Sequence, residues 1–590
     1  MWSRFKQIFR RRRGREGSSQ TDSTSTDQGP EDETSRFLKQ CITQTVLDAP
    51  RAVTQDFYME GLENVFLYVD RAEHGDEYER VAQALIEAIP HHNPMAKAVI
   101  ALFVETLPTP PVASLKNVSG IITNTISQQR DEQSLVNALM CLALLADNFS
   151  GALAENLCSP ELISRLETLL MMGERPLIVL KALTAVEMLA RTGANKSALQ
   201  EHGTPAIVFA LEQRYQSGGV GGGDEGDGDG VGADGADGGN ADNGDGGGDD
   251  KTHSGDCDGA REATRATSID DDQQGMSTAS PAPAVARTAA TPVHSTGGRG
   301  LLNVLLKAQL AFCTSWLLDN VLPCSRRPIA VRAVPEGMNV MLDAHDATKF
   351  LKLSPDGVEI RSDVNSFESV RATCCATSGK CWYYEVTLFT AGIMQIGWAV
   401  DGCQYQTEEG RGIGDDEYSL AVDGSRQLVW FNQAPAHTNI KWRPGDVLGC
   451  YLDLVHHRAW FSVNGQRTRV LRLPPHLRDR VYPAASLMID QHVAFNFGDR
   501  PYKFRPVDED VYDLNQIGVL TEQQRRIIPR LVLLNQIQQE LNDDDDLDED
   551  NTCSICFVRP IEVVHEPCGH RAFCLICSLH TNDNAGIGGR

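Results

Sequence analysis

Six residues near the C-terminus have the types and spacings that metal chemistry needs: Cys553-x-x-Cys556, Cys568-x-His570 and Cys574-x-x-Cys577. Two thiolates held two residues apart by a tight turn can aim at one tetrahedral centre, the geometry zinc prefers. Five of the 16 cysteines fall between Cys553 and Cys577. The others are scattered through 590 residues and make no disulfide scaffold. In a reducing compartment such a cluster reads as a metal site. After Cys577 the chain offers His580 as its one further conventional ligand, and a lone histidine there reads as solvated. No nucleophile–base arrangement and no pair of carboxylates stands out for another enzyme class.

The elements that must position these ligands belong to a multidomain chain. At 590 residues it exceeds what one hydrophobic core supports, and length alone suggests roughly three or four units. Just upstream of the zinc module (551–590), Asp543–Asp550 forms an acidic, solvated spacer. Before it, Thr521 and Gln524 have capping-box spacing and predict a helix running to about Leu541, interrupted at Pro529. Residues 507–550 therefore read as a helical connector.

From 324 to 506 the pattern alternates. Trp382–Thr387, Met394–Ala399, Tyr418–Val422, Gln427–Phe431, Val447–Leu454, Ala459–Val463, Ala484–Met488 and Val493–Phe497 are short strand candidates rich in aromatic and β-branched residues. Asp423-Gly424 and Asn464-Gly465 predict type I′ hairpin turns, which need positive φ at both positions. Regular short strands with such punctuation imply an antiparallel β-sandwich. Gly410-x-Gly412-x-Gly414 lacks the strand–turn–helix setting of a phosphate loop and is rejected as one.

The N-terminal half has a helical period. Across 37–216, segments such as Ser134–Asp147 and Leu177–Arg191 space their apolar residues by three and four, and Lys181–Glu212 resembles an armadillo-type repeat. Another helix is expected over 301–323, with Leu305, Leu306, Leu310, Trp316 and Leu317 on one face. Between them, 217–300 is dominated by Gly, Asp and small residues and reads as a disordered linker. Its Asp–Gly repeats never reach the closing Glu of a calcium loop.

Residues 1–36 read as a basic, disordered tail. Met1–Arg15 carries seven Lys and Arg, with Trp2, Phe5 and Phe9 at helical spacing, compatible with weak contact to an anionic membrane surface. No secretory h-region opens the chain and no stretch is read as a membrane span, so a cytoplasmic location is expected. The three Asn-x-Ser sequons then carry no meaning. The net charge of −26 argues against a nucleic-acid binder.

The β-region resembles the B30.2/SPRY family. The resemblance rests on Ser366-Phe367-Glu368-Ser369-Val370-Arg371, Trp382-Tyr383-Tyr384-Glu385-Val386, Gln395-Ile396-Gly397-Trp398-Ala399 and Gly412-Ile413-Gly414-Asp415-Asp416-Glu417-Tyr418-Ser419. Trp442-x-x-Gly445-Asp446-Val447 and Phe461-Ser462-Val463-Asn464-Gly465 extend it. It implies recognition of short protein segments by loops at one end of the sandwich, around Cys403–Glu409 and Asn432–Lys441. Trp382, Trp398 and Phe461 are read as core.

The C-terminal cluster resembles the RING finger, whose two zinc ions are held in an interleaved order. The resemblance implies a first zinc on Cys553, Cys556, Cys574 and Cys577, and a second on Cys568 and His570 with a final Cys-x-x-Cys pair that this sequence lacks. The RING is therefore read as incomplete. The resemblance also implies that Ile555 and Pro567 meet a ubiquitin-conjugating enzyme, while SPRY selects a protein substrate. Two readings stand: a RING-type ubiquitin ligase, or a non-catalytic zinc-binding SPRY scaffold with a defective RING.

Overall fold

The computed structural model describes residues 33–52, 59–71, 75–128, 131–149, 151–216, 296–327, 332–407, 410–431, 434–506, 510–529, 563–565 and 570–573. Most of the expected N-terminal tail, linker and zinc module lies outside these residues; 33–36 and 296–300, read as disordered, are instead the first turns of the helices Glu33–Ala52 and Thr296–Asn320.

Helices run from Glu33–Ala52 to Thr204–Gln216. Two of them, Glu132–Asn148 and Pro176–Leu189, are apolar on nearly every side and pack on each other at the centre, as all-round apolar helices must. Their ends carry local signals. Asp131 accepts a hydrogen bond from the Ser134 amide at 2.9 Å. Ser159 caps the next helix before Pro160, and proline also opens the Pro176 helix. Gly203 ends Gly193–His202 with φ of 92°, the left-handed cap glycine permits.

The helix expected at 301–323 spans Thr296–Asn320 and belongs to this helical body. It packs on Pro176–Leu189 and Thr204–Gln216. Leu305, Leu306, Leu310 and Leu317 are buried and Trp316 is partly so. Its Gly300–Asn320 stretch is long and apolar enough to cross a membrane, which corrects the reading that no stretch is. Over half of that stretch is buried within the protein. Buried Asp319 pairs with Arg327, which also reaches Glu212, so it is the core helix of the helical body.

All eight strand candidates form, within two residues of their expected bounds. One sheet orders Gln466–Arg467, Arg458–Val463, Val447–Asp453, Cys381–Leu388, Gln491–Asn496, Glu359–Ser362 and Lys352–Leu353. The other orders Glu368–Arg371, Tyr482–Leu487, Met394–Ala399, Ser419–Asp423, Leu428–Phe431 and Ala434–His437. Trp382, Trp398 and Phe461 are fully buried between them.

Asn464-Gly465 is a two-residue hairpin turn with φ of 49° and 79°, as expected. Asp423-Gly424 is not. Asp423 pairs with Leu428, leaving a four-residue turn whose positive φ falls on Gln427, because the Asp423 carboxylate accepts the Arg426 amide and guanidinium instead. The glycines at 412 and 414 serve close packing: a Cβ on Gly414 would lie 2.6 Å from the Trp430 Cβ, and that residue has φ of 98°.

The sandwich also extends past 506. Tyr512–Asp513 pairs in parallel with Trp382–Tyr383, and Leu514 and Leu520 enter the core. The Thr521–Gln524 box does form: Thr521 donates its amide to Gln524 Oε1 at 3.0 Å, and Gln524 returns its amide to Thr521 Oγ1 at 3.2 Å. It closes a turn, not the expected helix. Arg526–Ile527 then pairs with Arg332–Ala333, because an unpaired strand start offers backbone partners that a surface helix would not. The expected continuation to Leu541 lies outside the described residues.

Candidate functional site

In the zinc module the described elements are a hairpin, Val563–His565 with His570–Phe573, paired through His565–His570. His570 is the one expected ligand whose backbone is described. Cys553, Cys556, Cys568, Cys574 and Cys577, with Ile555 and Pro567, lie outside the described residues. The hairpin still constrains the chemistry. From His570 to Phe573 the chain is a strand, so its ends stand about 10 Å apart at roughly 3.3 Å per residue. Cys574 follows directly. With Zn–ligand bonds near ~2.3 Å, one ion is a poor fit to both His570 and Cys574. Two ions suit the donor set better. Five cysteines and one histidine exceed the four donors that one tetrahedral zinc takes. Among the described residues no other His, Cys, Asp and Glu group could hold a metal.

The β-sandwich has two unlike ends. One is covered by the helical body. Phe367, Ile393, Met488 and Ile489, from three inter-strand connections, share a continuous core with the helices. Beside them lies a cluster of buried charges. Lys352 donates to Glu187 at 2.5 Å and to Asp363 at 2.7 Å. Arg361 grips Asp363 through Nε and Nη2 at 2.9 and 2.7 Å, and reaches Asp490 at 2.8 Å and Gln309 at 3.0 Å. Lys181 bonds Asp490, and Lys97 approaches Asp363 at 3.4 Å. Burial alone would raise the Asp363 and Asp490 carboxyls. The surrounding cations outweigh it, holding Asp363 well below the usual range and Asp490 at about 2. Burial pushes Lys181 down.

The other end is open, and the 400–407 and 410–418 segments belong to it. Arg371 binds Asp346 through Nη2 at 2.6 Å and donates to the Val400 carbonyl at 2.9 Å. Tyr405 donates to the same Asp346 at 2.5 Å. Burial would raise Asp346, but the Arg371 and Tyr405 hydrogen bonds lower it on balance. Burial and the Asp346 charge raise the Tyr405 phenol. At the rim, exposed Arg480 pairs with exposed Asp401 at 3.1 Å and donates to Tyr482 at 2.9 Å.

Of the loops expected to recognise a target, Cys403 is buried and Tyr405 half-buried at this open end, while 408 and 409 lie outside the described residues. Asn432–Lys441 is only partly a loop, because Ala434–His437 is an edge strand paired with Leu428–Phe431. Asp346, Arg371, Arg480 and Tyr482 were not singled out from the sequence. They come from separate segments, and no spacing joins them. The buried charges did leave a trace: Lys97, Lys181 and Glu187 interrupt runs that are otherwise apolar.

Against known families, residues 381–500 match the SPRY domain. Residues 549–585 match the zinc finger of C3HC4 type, the RING finger. The chain carries a SPRY domain and a C3HC4 RING finger. A RING finger implies zinc binding. Among curated proteins, it is similar to E3 ubiquitin-protein ligase RKP of Arabidopsis thaliana, 40% identical over 147 residues, 24% of this chain and 11% of that one. It is also similar to ATP-dependent RNA helicase DDX1 of Xenopus laevis, 23% identical over 169 residues, 28% and 22% of the two chains. The aligned stretches thus span between a tenth and a quarter of these relatives. Among solved structures, the SPRY domain of human HERC1 aligns at 13% identity over 26% of this chain and 96% of that one, with a TM-score of 0.23. A human SPRY domain aligns at 17% identity over 26% and 98%, with a TM-score of 0.22.

Proposed function

We propose that this SPRY and RING-finger chain is a RING-type ubiquitin ligase, with SPRY as the substrate-selecting part and RING as the part that recruits a ubiquitin-conjugating enzyme. The observation that carries the reading is the union of the two modules in one chain, beside 40% identity to a stretch of a protein named as an E3 ubiquitin ligase. In its order of parts the chain resembles RING finger and SPRY domain-containing protein 1 over about 37–579, apart from the Gly/Asp-rich insert. A cytoplasmic setting is part of the proposal, since thiolate ligands must stay reduced. Membrane contact by Met1–Arg15 is not needed for it, and the acidic net charge favours no role for nucleic acid.

Zinc, when bound to Cys553, Cys556, Cys574 and Cys577, supplies folding energy and rigidity, not reactivity. Cys568 and His570 contribute to a second site. The work of the chain is proximity: Ile555 and Pro567 form part of a surface that orients the loaded conjugating enzyme so that a substrate amine can attack its thioester. Substrate is taken at the open end of the sandwich, near Tyr405 and Arg480, because the helices cover the other end. Autoubiquitination by the full chain should be present and should vanish in Cys553→Ser. Equal activity in the two would remove the ligase reading.

A second reading is a non-catalytic scaffold with one zinc, since Cys553, Cys556, Cys574 and Cys577 already make one full set of four ligands. A scaffold that binds partners through its helices and SPRY domain would hold one zinc per chain by elemental analysis, and a content of two would exclude it.

A further inference from the structure

The helical body carries an apolar groove away from the sandwich. Tyr78, Val81 and Leu85 form one wall, Leu115 and Val118 another, and Leu145 lies between. The Tyr78 hydroxyl donates at 2.6 Å to the carbonyl of Pro108, which also lines the groove. The free volume is about 50 Å³, with almost no polar lining. Water would find few partners there, whereas one inserted apolar side chain would fill it.

The rim is acidic. Glu79 receives the Asn117 amide at 2.8 Å through Oε1, while its Oε2 is buried with no hydrogen-bond partner among the described residues. Asp76 accepts from Arg80 through Oδ2, while its Oδ1 is likewise buried and unpartnered. Burial, with the Asp70 and Glu77 charges, pushes the Tyr78 phenol up to about 12. The groove can thus take an apolar side chain, and two carboxylate oxygens near Tyr78 in the chain can accept further N–H donors.

One segment of this chain offers both. Met1–Arg15 has Trp2, Phe5 and Phe9 at three- and four-residue spacing, among Arg4, Lys6 and Arg10–Arg13. It is also tethered close by. The helix Glu33–Ala52 packs on Glu77–Ala88, the wall that carries Tyr78, with Lys39 bonded to Glu87 at 2.7 Å. The residues from 16 to 32 can span up to about 55 Å when extended, more than enough to reach. We infer that the groove of Tyr78, Leu85, Val118 and Leu145 is the docking site of the chain's own basic, aromatic N-terminal segment. The short tether gives it a millimolar-scale effective concentration, so docking needs little intrinsic affinity.

The test uses the full chain and amide hydrogen exchange at 78–85 and 145–149. Removing residues 1–15, or making Trp2→Ala, Phe5→Ala and Phe9→Ala together, should speed exchange there several-fold and leave the sandwich strands unchanged. A synthetic peptide of residues 1–15 added to the truncated chain should restore the protection. In a chain carrying Ala82→Trp, which fills the groove, the peptide should have no effect. Unchanged exchange on truncation would overturn the proposal. So would equal binding of phosphatidylserine vesicles by the intact and Ala82→Trp chains, since a segment held in the groove must be released before it can bind lipid.

Discussion

Lys352 shows how much depends on single residues. It is buried between Glu187 of the helical body and Asp363 of the sandwich. Removing one partner of a buried ion pair costs about 3–5 kcal/mol, moderated here because Asp363 keeps Arg361 and Glu187 keeps Arg191 at 3.9 Å. Lys352→Met should lower the thermal unfolding temperature markedly. Lys352→Met with Glu187→Leu should lose less than the two single changes summed, and strict additivity would argue against direct coupling. The same cluster sets an acid limit. Asp363 and Asp490 have folded values below the ordinary 3.8, Asp490 at about 2. Depressed carboxyls contribute stability above their unfolded pKa and lose it as pH falls through the folded one. Stability to urea should therefore be level near neutrality with respect to these groups and drop between roughly pH 4 and 2. In Asp490→Asn that acid slope should be shallower.

At the scale of elements, strands were legible where each residue's face alternates, and all eight candidates formed. In both failures a local signal was outvoted by another hydrogen-bond partner, once distant in the chain and once three residues away. The Thr521–Gln524 box is present, yet the chain turns into a strand because Arg332–Ala333, some 190 residues earlier, offers backbone hydrogen bonds. Asp423-Gly424 loses its two-residue turn to the Arg426 guanidinium. The helix Thr296–Asn320 rejoins the helical body after an insert spanning 217–295. Glu212 and Asp319 meet through Arg327, at the opposite end of the 25-residue helix from Thr296, so the described ends to be joined lie about 36 Å apart at 1.5 Å per residue. A replacement of about 20 flexible residues should keep the melting temperature within a few degrees, since loop-closure entropy changes slowly with length. One of about five cannot reach and should unfold the helix, which far-ultraviolet circular dichroism would show.

For the whole molecule, helices and sandwich share one core at one end of the sandwich. Phe367, Ile393, Met488 and Ile489 lie in the helical core, and Arg361, Asp363 and Asp490 take their partners partly from helices. Residues 324–527 expressed alone should therefore melt well below the full chain and aggregate through the uncovered end. Equal melting temperatures would show that the shared core contributes nothing. The arrangement also leaves the open end, with Tyr405, Arg480 and Asp401, as the face available for a proposed substrate.

Chain order alone determined the period of each region, the core tryptophans and the spacing of Cys553, Cys556, Cys568, His570, Cys574 and Cys577, because these depend on neighbours a few residues away. Only the tertiary structure decided which sandwich end is covered, that the strand order extends to Ile527, and that Lys97, Lys181 and Glu187 meet Arg361, Asp363 and Asp490. Those facts arise from burial between segments hundreds of residues apart, where the need to pair every buried charge and backbone group overrides local preference.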